Sequence, residues 1–308
     1  MRSRAERESM NTRDQTYPRG VTFVLAATLG WSLSGLFVRL MPELSGWELN
    51  CWRGFWTAVS ILCYLVITYG HDTLNVFRRV PPVALLLSAG FFAFGSTAYV
   101  TSLTLASTAV VSVIGALSPL FTGLLSPWVT GEKPGWAAWA AAVMALLGMA
   151  VIARDGLEAG NWLGIAVSLL VPFCFAMQTL TLRRYRAFDM TPAICVGGII
   201  AFFGAGLAGY FFQAGGGFDV PLDRIALLAL MGLLQLAIPL IFYAKGARSV
   251  PAVTLALIAM LDTVLNPLWP WLFVHEVPEP AAFIGGGIII VAVLLSVLGP
   301  YLHRRSQA

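Results

Sequence analysis

Residues Thr101–Ile152 read TSLTLASTAVVSVIGALSPLFTGLLSPWVTGEKPGWAAWAAAVMALLGMAVI. Two apolar runs, 107–129 and 135–153, flank a turn from Gly131 to Pro134. Each is long enough for a helix that crosses a bilayer, which takes about 20 mainly apolar residues. Reading outward from this stretch gives ten spans, at 20–40, 47–69, 83–103, 107–129, 135–153, 161–182, 192–212, 224–244, 250–272 and 281–300. Pro42, Pro81-Pro82, Gly156 to Gly160, Gly215-Gly216-Gly217 and Pro278 to Pro280 mark gaps between them. Composition agrees. Hydrophobic residues make up 58% of the 308-residue chain and charged residues 11%, against about 25% charged in an average soluble domain. Mean hydropathy is +0.80. So few charges cannot cover the surface of a soluble fold of this size.

An internal repeat runs through the chain at a constant offset of 144 residues. It pairs Gly20 with Gly164, Leu25 with Leu169, Arg39 with Arg183, Tyr99 with Tyr243, Leu117 with Leu261, Leu124 with Leu268, Glu132 with Glu276 and Pro134 with Pro278. Apolar matches are cheap in such a chain; the Arg, Tyr, Glu and Pro matches are not. Each copy holds five spans, an odd number, so the second copy enters the membrane from the opposite side. The expected fold class is therefore an all-α membrane protein of ten transmembrane helices in two inverted five-helix repeats. Many secondary transporters build two oppositely facing states from this layout, around a site at the midplane.

Lys and Arg set the orientation. Arg2, Arg4, Arg7, Arg13 and Arg19 lie in the N-terminal tail, and every second connection adds more: Arg78 and Arg79, Lys133, Arg183, Arg184 and Arg186, Lys245 and Arg248, then Arg304 and Arg305. The other side holds only Arg39, Arg53, Arg154 and Arg224. Both termini are expected in the cytoplasm and the protein in the cell inner membrane, as a multi-pass chain. The expected organisation is a polar tail at 1–19, a first repeat at 20–153, a second, inverted repeat at 161–300 and a tail at 301–308. No small-residue cleavage pattern precedes the first span, which reads as retained.

The 101–152 stretch resembles the EamA repeat of the drug/metabolite transporter superfamily, in Ser118-Pro119, in Gly131-Glu132 and in the small-residue helix ending near Gly148. The second copy, Ser249–Leu295, keeps Glu276 and Gly285-Gly286-Gly287 but carries Asp262 and Thr263 where the first has Ser118 and Pro119. The resemblance implies a ten-helix inner-membrane exporter of small metabolites, with YddG-like amino-acid exporters as the nearest subtype.

Asp262 stands near the middle of the ninth span, where an ionised Asp costs about 2.5–3.5 kcal/mol to insert. It needs a cavity, a partner or a proton, which makes it the proton-coupling candidate. Asn266 follows at i+4 on the same face, and Ser118, Thr122 and Ser126 form the related stripe in the fourth span. Trp31 and Ser34 in the first span correspond to Phe175 and Gln178 in the sixth, and Gln235, Tyr243 and Tyr99 could complete an aromatic pocket with a few polar groups. The expected substrate-binding set is thus Trp31, Ser34, Tyr99, Ser118, Thr122, Gln178, Gln235, Tyr243, Asp262 and Asn266. Helix-packing hydrogen bonds are the alternative role for the Ser, Thr and Asn residues. Arg53 is expected to snorkel outward or to contact Glu48 or Glu43, with a substrate carboxylate as the other option. Pro119, Pro172, Pro239 and Pro267 interrupt the spans that carry these residues and are hinge candidates.

Other motifs fail on context. Gly204-Ala-Gly206-Leu-Ala-Gly209 has no preceding strand and reads as a packing face, not a dinucleotide loop. The chain has no Walker lysine motif, and His71, His275 and His303 are scattered without metal spacing. The four cysteines, Cys51, Cys63, Cys174 and Cys195, fall in apolar runs and read as buried hydrophobes. A net charge of +4 gives little support to a nucleic-acid partner. The expectation is a secondary active transporter, not an enzyme, with no cofactor and no metal. It would export a small metabolite, an amino acid or similar zwitterion first, by alternating access through a central cavity between the repeats. Uptake, a multidrug carrier of the same fold, an intramembrane lipid enzyme and a non-transport membrane subunit are the alternatives. Its partners are the solute and the bilayer; the oligomeric state stays open, with a monomer plausible.

Overall fold

The computed structural model describes residues 4–106, 108–154, 162–212, 217–275 and 280–305. Among these residues the regular structure is entirely helical. Nine helical stretches are long and apolar enough to cross a membrane: Thr16–Leu40, Gly46–Arg79, Pro82–Leu103, Val110–Val129, Trp136–Ala153, Trp162–Arg184, Thr191–Phe212, Leu222–Gly246 and Pro280–Leu298. A shorter apolar helix, Ala252–Leu265, continues into Leu268–Val274 and makes the remaining crossing. Arg183, Arg184, Arg186, Lys245 and Arg248 share one mouth of the bundle, called here the basic end. At the far end Arg224 pairs with Glu43. Trp128 and Trp136 near the basic end, and Trp162, Tyr210, Phe211 and Phe212 near the far end, are strongly exposed, as expected of aromatic belts at two membrane interfaces. The loop at 155–160, most of the glycine run at 213–216, and Glu276 and Pro278 of the repeat lie outside the described residues.

The most extensive helix contacts join repeat-equivalent spans, the second to the seventh and the fifth to the tenth. Lipid tails are as apolar as the side chains, so these contacts depend on close backbone approach. A Cβ on Gly54 would sit 2.9 Å from the Gly198 carbonyl oxygen, and one on Gly198 would sit 2.8 Å from that of Gly54. These two glycines are 144 apart and touch each other. In the fifth–tenth pair a Cβ on Gly148 would meet the Gly285 carbonyl at 2.8 Å. The 204–209 motif is a packing face as well: Gly206 seats the Phe218 ring and Gly209 abuts Gly217 and Trp47.

Three spans that read as continuous apolar runs are broken. The fourth divides between Thr108–Gly115 and Ser118–Val129. Pro119 cannot donate to the preceding turn, and Leu117 N–H bonds Ile114 in a tightened i−3 turn instead (3.0 Å). The ninth breaks at the equivalent depth, after Met260, without a proline there, and again after Asn266, beside Pro267. The first breaks between Trp31 and Ser34, where Ser32 Oγ donates to the Leu29 carbonyl (2.7 Å), a back-bond that bends helices. Pro239 follows a π-helical segment, Met231–Ala237, because the carbonyl four residues back loses its donor. Thr57 Oγ1 donates to the Gly232 carbonyl in that segment (3.3 Å). Pro172, by contrast, lies within the uninterrupted helix Trp162–Arg184 and marks no break.

Gly198→Leu should force the second and seventh spans apart and cost about 2 kcal/mol or more. Gly204, whose nearest neighbour for an added Cβ is Thr97 Oγ1 at 3.7 Å, should accept Ala within about 0.5 kcal/mol. Thermal unfolding of the detergent-purified variants measures both; equal losses would contradict the glycine contact.

Candidate functional site

The bundle is packed at one end and accessible at the other. Every residue from Ala252 to Ala259 is buried, whereas none from Leu261 to Trp269 is. The repeat reverses the pattern. In the fourth span Ser118, Pro119, Thr122, Gly123 and Ser126 are buried, while most described residues of Thr108–Gly115 are partly exposed. The two equivalent tyrosines part in the same way: Tyr99 is 40% exposed and Tyr243 2%.

An aromatic cluster and an ionic latch close the basic end. The Trp31 ring lies 5.0 Å from Tyr243 and 6.2 Å from Phe175 between centroids, and Phe175 lies 6.0 Å from Tyr243. The Tyr243 hydroxyl shares a 2.9 Å hydrogen bond with Thr179 Oγ1. Outside this aromatic plug, Arg183 Nε donates to Glu132 Oε1 (2.6 Å), Arg183 Nη1 donates to the Ala247 carbonyl (3.0 Å), and Ala252 N–H donates to Glu132 Oε2 (3.1 Å). One carboxylate from the first repeat thus ties the sixth span to the turn between the eighth and ninth. Gly131, with φ of 75°, makes the left-handed turn that leads into Glu132. A vestibule of about 940 Å³ lies on the solvent side of this latch, lined by Arg19, Arg184, Arg186, Lys245 and Arg248.

The far half is built differently. Asn266 Nδ2 donates to Ser34 Oγ (3.0 Å), and Gly35 N–H donates to Asn266 Oδ1 (2.9 Å). A side chain at position 35 would collide with that oxygen. Trp269 Nε1–H donates to Ser32 Oγ (2.8 Å). These bonds hold the broken first and ninth spans together at their breaks. Beside them Asp262 accepts from Thr263 Oγ1 at Oδ1 (3.1 Å) and has no cationic partner within 4 Å among the described residues. Tyr99 of the third span and Arg53 of the second lie in the same half. Arg53 Nη2 donates to Asn50 Oδ1 (2.7 Å) and Ser96 Oγ (3.1 Å), and Ser96 Oγ donates to Asn50 Oδ1 (2.5 Å). Tyr99 interacts electrostatically with both Arg53 and Asp262.

The structure therefore gathers Ser34, Tyr99, Asp262 and Asn266 in the accessible half. It packs Trp31, Ser118, Thr122, Gln178, Gln235 and Tyr243 in buried positions. Ser118 and Thr122 donate to the carbonyls of Gly115 (2.6 Å) and Ser118 (2.7 Å) in their own span. Gln178 Nε2 and Gln235 Oε1 are buried without partners among the described residues. Arg53 corrects its expectation: Glu48 is engaged in a capping box with Ser45, Glu43 pairs with Arg224, and Arg53 turns inward to Asn50 and Ser96. The Glu132–Arg183 latch was not anticipated. Its signal was present, since Arg39–Arg183 and Glu132–Glu276 are matches of opposite charge at one offset.

The EamA-like transporter family model matches residues 18–154 and again 162–298. This chain belongs to that family. Among curated proteins, the "Probable terminal-alkyne amino-acid exporter" of Streptantibioticus cattleyicolor is 29% identical over 64% of this chain and 66% of its own length, just under two thirds. The "Uncharacterized transporter YdfC" of Bacillus subtilis is 24% identical over 78% of each chain. A crystal structure with 19% sequence identity matches at a TM-score of 0.78, covering 94% of this chain and 99% of its own, and shows the shared fold. Both the family and these two curated relatives are named as transporters or exporters.

Removing the latch should loosen the closed end. In a Glu132→Gln background the loss is about 2 kcal/mol, the worth of a hydrogen bond between charged groups. A cysteine at Thr122, protected in the parent, should then react with a thiol reagent added from the basic side. Protection unchanged by Glu132→Gln would place the closure elsewhere.

Proposed function

We propose that this protein is a secondary transporter of the cell inner membrane that exports amino acids or similar small zwitterions by alternating access between its repeats. The carrying observation is that equivalent residues of the two repeats stand in opposite conditions, with Tyr99 open and Tyr243 closed. A symmetric chain that packs asymmetrically has a second packing available, with the two ends exchanged. With both termini in the cytoplasm, as the positive-inside pattern indicates, the basic end is the closed cytoplasmic gate and the far end opens outward. Tyr99, Asp262, Asn266 and Ser34 then release the solute on the outside. In the opposite state Trp31, Ser118, Thr122, Gln178, Gln235 and Tyr243 take it up from the cytoplasm. Pro119, Pro239 and Pro267, which lie at helix irregularities, are the bending points. The name of the Streptantibioticus relative supports the amino-acid class.

Counterflow into proteoliposomes loaded with each of the common amino acids, with nucleosides and cationic dyes in parallel, tests this reading. Saturable amino-acid exchange is the expected result; dye flux alone would indicate a multidrug carrier, and no flux at all would remove the transport assignment. Orientation is checked by a cysteine at Ala187, which should be labelled only from the cytoplasmic side. Asp262→Asn separates two roles. If Asp262 carries a proton through the cycle, Asn abolishes gradient-driven accumulation and spares downhill exchange. If it serves only as a charge for the solute, Asn weakens both modes together. Parental transport in Asp262→Asn and Asp262→Ala alike would make Asp262 structural.

A further inference from the structure

Arg53 and Asp262 are opposite charges enclosed by the bundle, yet they do not pair with each other. Arg53 uses Nη2 for both of its hydrogen bonds. Its Nε is buried without an acceptor, as is the neighbouring Asn50 Nδ2. Its Nη1 has no partner among the described residues either and is not sealed off. Both buried orphan atoms are donors, so the group missing from this corner is an acceptor. Asp262 shows the complementary deficit: among the described residues the hydrogen bonds to its carboxylate come from Thr263 alone, its neighbour in the chain. Tyr99 lies between, enclosed but 40% exposed, with electrostatic contact to both. An enclosed charge left unpaired is costly unless something completes it, and here two unlike charges from two different repeats each interact with the accessible Tyr99.

We infer that Arg53 and Asp262 form a two-point clamp for a zwitterion, Arg53 taking the carboxylate and Asp262 the ammonium, with the Tyr99 hydroxyl between them. The inference rests on the amino-acid reading above and adds the polarity of binding and a residue, Arg53, to the site. Asn50 and Ser96 are positioning residues: they fix the guanidinium edge so that Nη1 points at the solute. A plain amine leaves Arg53 unmatched, and a plain carboxylic acid leaves Asp262 unmatched. A site whose polar groups must each find a partner rejects ligands that lack one of them. The clamp joins the repeats through the solute itself, so a molecule with one charge also fails to link the two halves.

The test uses the purified full chain and three probes: leucine, isopentylamine, which lacks its carboxylate, and 4-methylpentanoate, which lacks its ammonium. If counterflow selects another amino acid, its own decarboxylated and deaminated analogues replace these. The parent should bind leucine about tenfold or more tightly than either analogue, the range of a lost charge-assisted hydrogen bond. Arg53→Gln should weaken leucine and 4-methylpentanoate by about tenfold and leave isopentylamine unchanged. Asp262→Asn should do the reverse, weakening leucine and isopentylamine only. Arg53→Lys keeps the charge and should fall between, which preserves the test should Arg53→Gln fail to fold. If the parent binds amino acids but Arg53→Gln affects all three probes alike, or none, the clamp is wrong and the transport reading stands. If the parent binds no amino acid, the reading beneath it fails as well.

Discussion

Gly54 and Gly198 occupy the same position in the two copies of the repeat, and their backbones touch. Equivalent points can meet only on the axis that relates the copies, so the pseudo-two-fold axis passes through this contact. Trp31 and Phe175, also equivalents, meet ring to ring at 6.2 Å and give a second point on it. The other helices take their places about these two points. The fifth and tenth spans pair across the axis, the fourth and ninth face each other, and the broken segments of the latter two fall at one depth. A side chain at either glycine would move the axis. In lipid no solvent drives the helices together, so the close van der Waals approach that glycine permits does that work.

About this axis the chain is symmetric in sequence pattern and asymmetric in packing. At the basic end the equivalents of the open cavity are filled by the Trp31, Phe175 and Tyr243 rings and bridged by the Glu132–Arg183 pair. Arg183 is 9% exposed and Glu132 28%, which gives the pair a setting less screened than a surface bridge. The carboxylate also accepts from Ala252 N–H, so one side chain satisfies a helix-terminal donor as well as the charge. The repeat carries the mirror-image charges at Arg39 and Glu276, and Glu276 lies outside the described residues.

Polar groups divide by how they are satisfied. Thr22, Thr28, Thr57, Thr101, Thr122, Ser168 and Thr181 each donate to the carbonyl four residues back. They need no partner from another helix, which is how membrane helices carry hydroxyls at little cost. Other polar side chains reach across helices at both ends, Arg53 and Asn266 in the far half and Thr179, Arg183 and Tyr243 at the basic end. Asn266 is satisfied by the first span, whereas Arg53 Nε and Asn50 Nδ2 are buried without partners among the described residues.

The number of spans, their approximate limits and the two-fold duplication were legible in the sequence, because crossing length and apolar character are local and a constant offset survives in the letters. The candidate role of Asp262 was legible for a related reason: a charge in an apolar run is conspicuous wherever the helix ends up. Its counterpart Arg53 was misread. Glu43 and Glu48 are near it in sequence, but Arg224 and the Ser45 cap claim them, and both facts are tertiary or depend on exact helix limits. The breaks in the first span and at Met260 of the ninth were also hidden, since apolar periodicity runs straight across them and no proline marks them, whereas Pro119 and Pro267 signalled the other two. Three prolines sit at such irregularities, but Pro172 has the same local character and sits in a continuous helix. Which end is closed could not be read from a repeated sequence at all. The two copies offer nearly the same surfaces, and only the sum of many contacts across the axis makes one packing lie lower than its mirror.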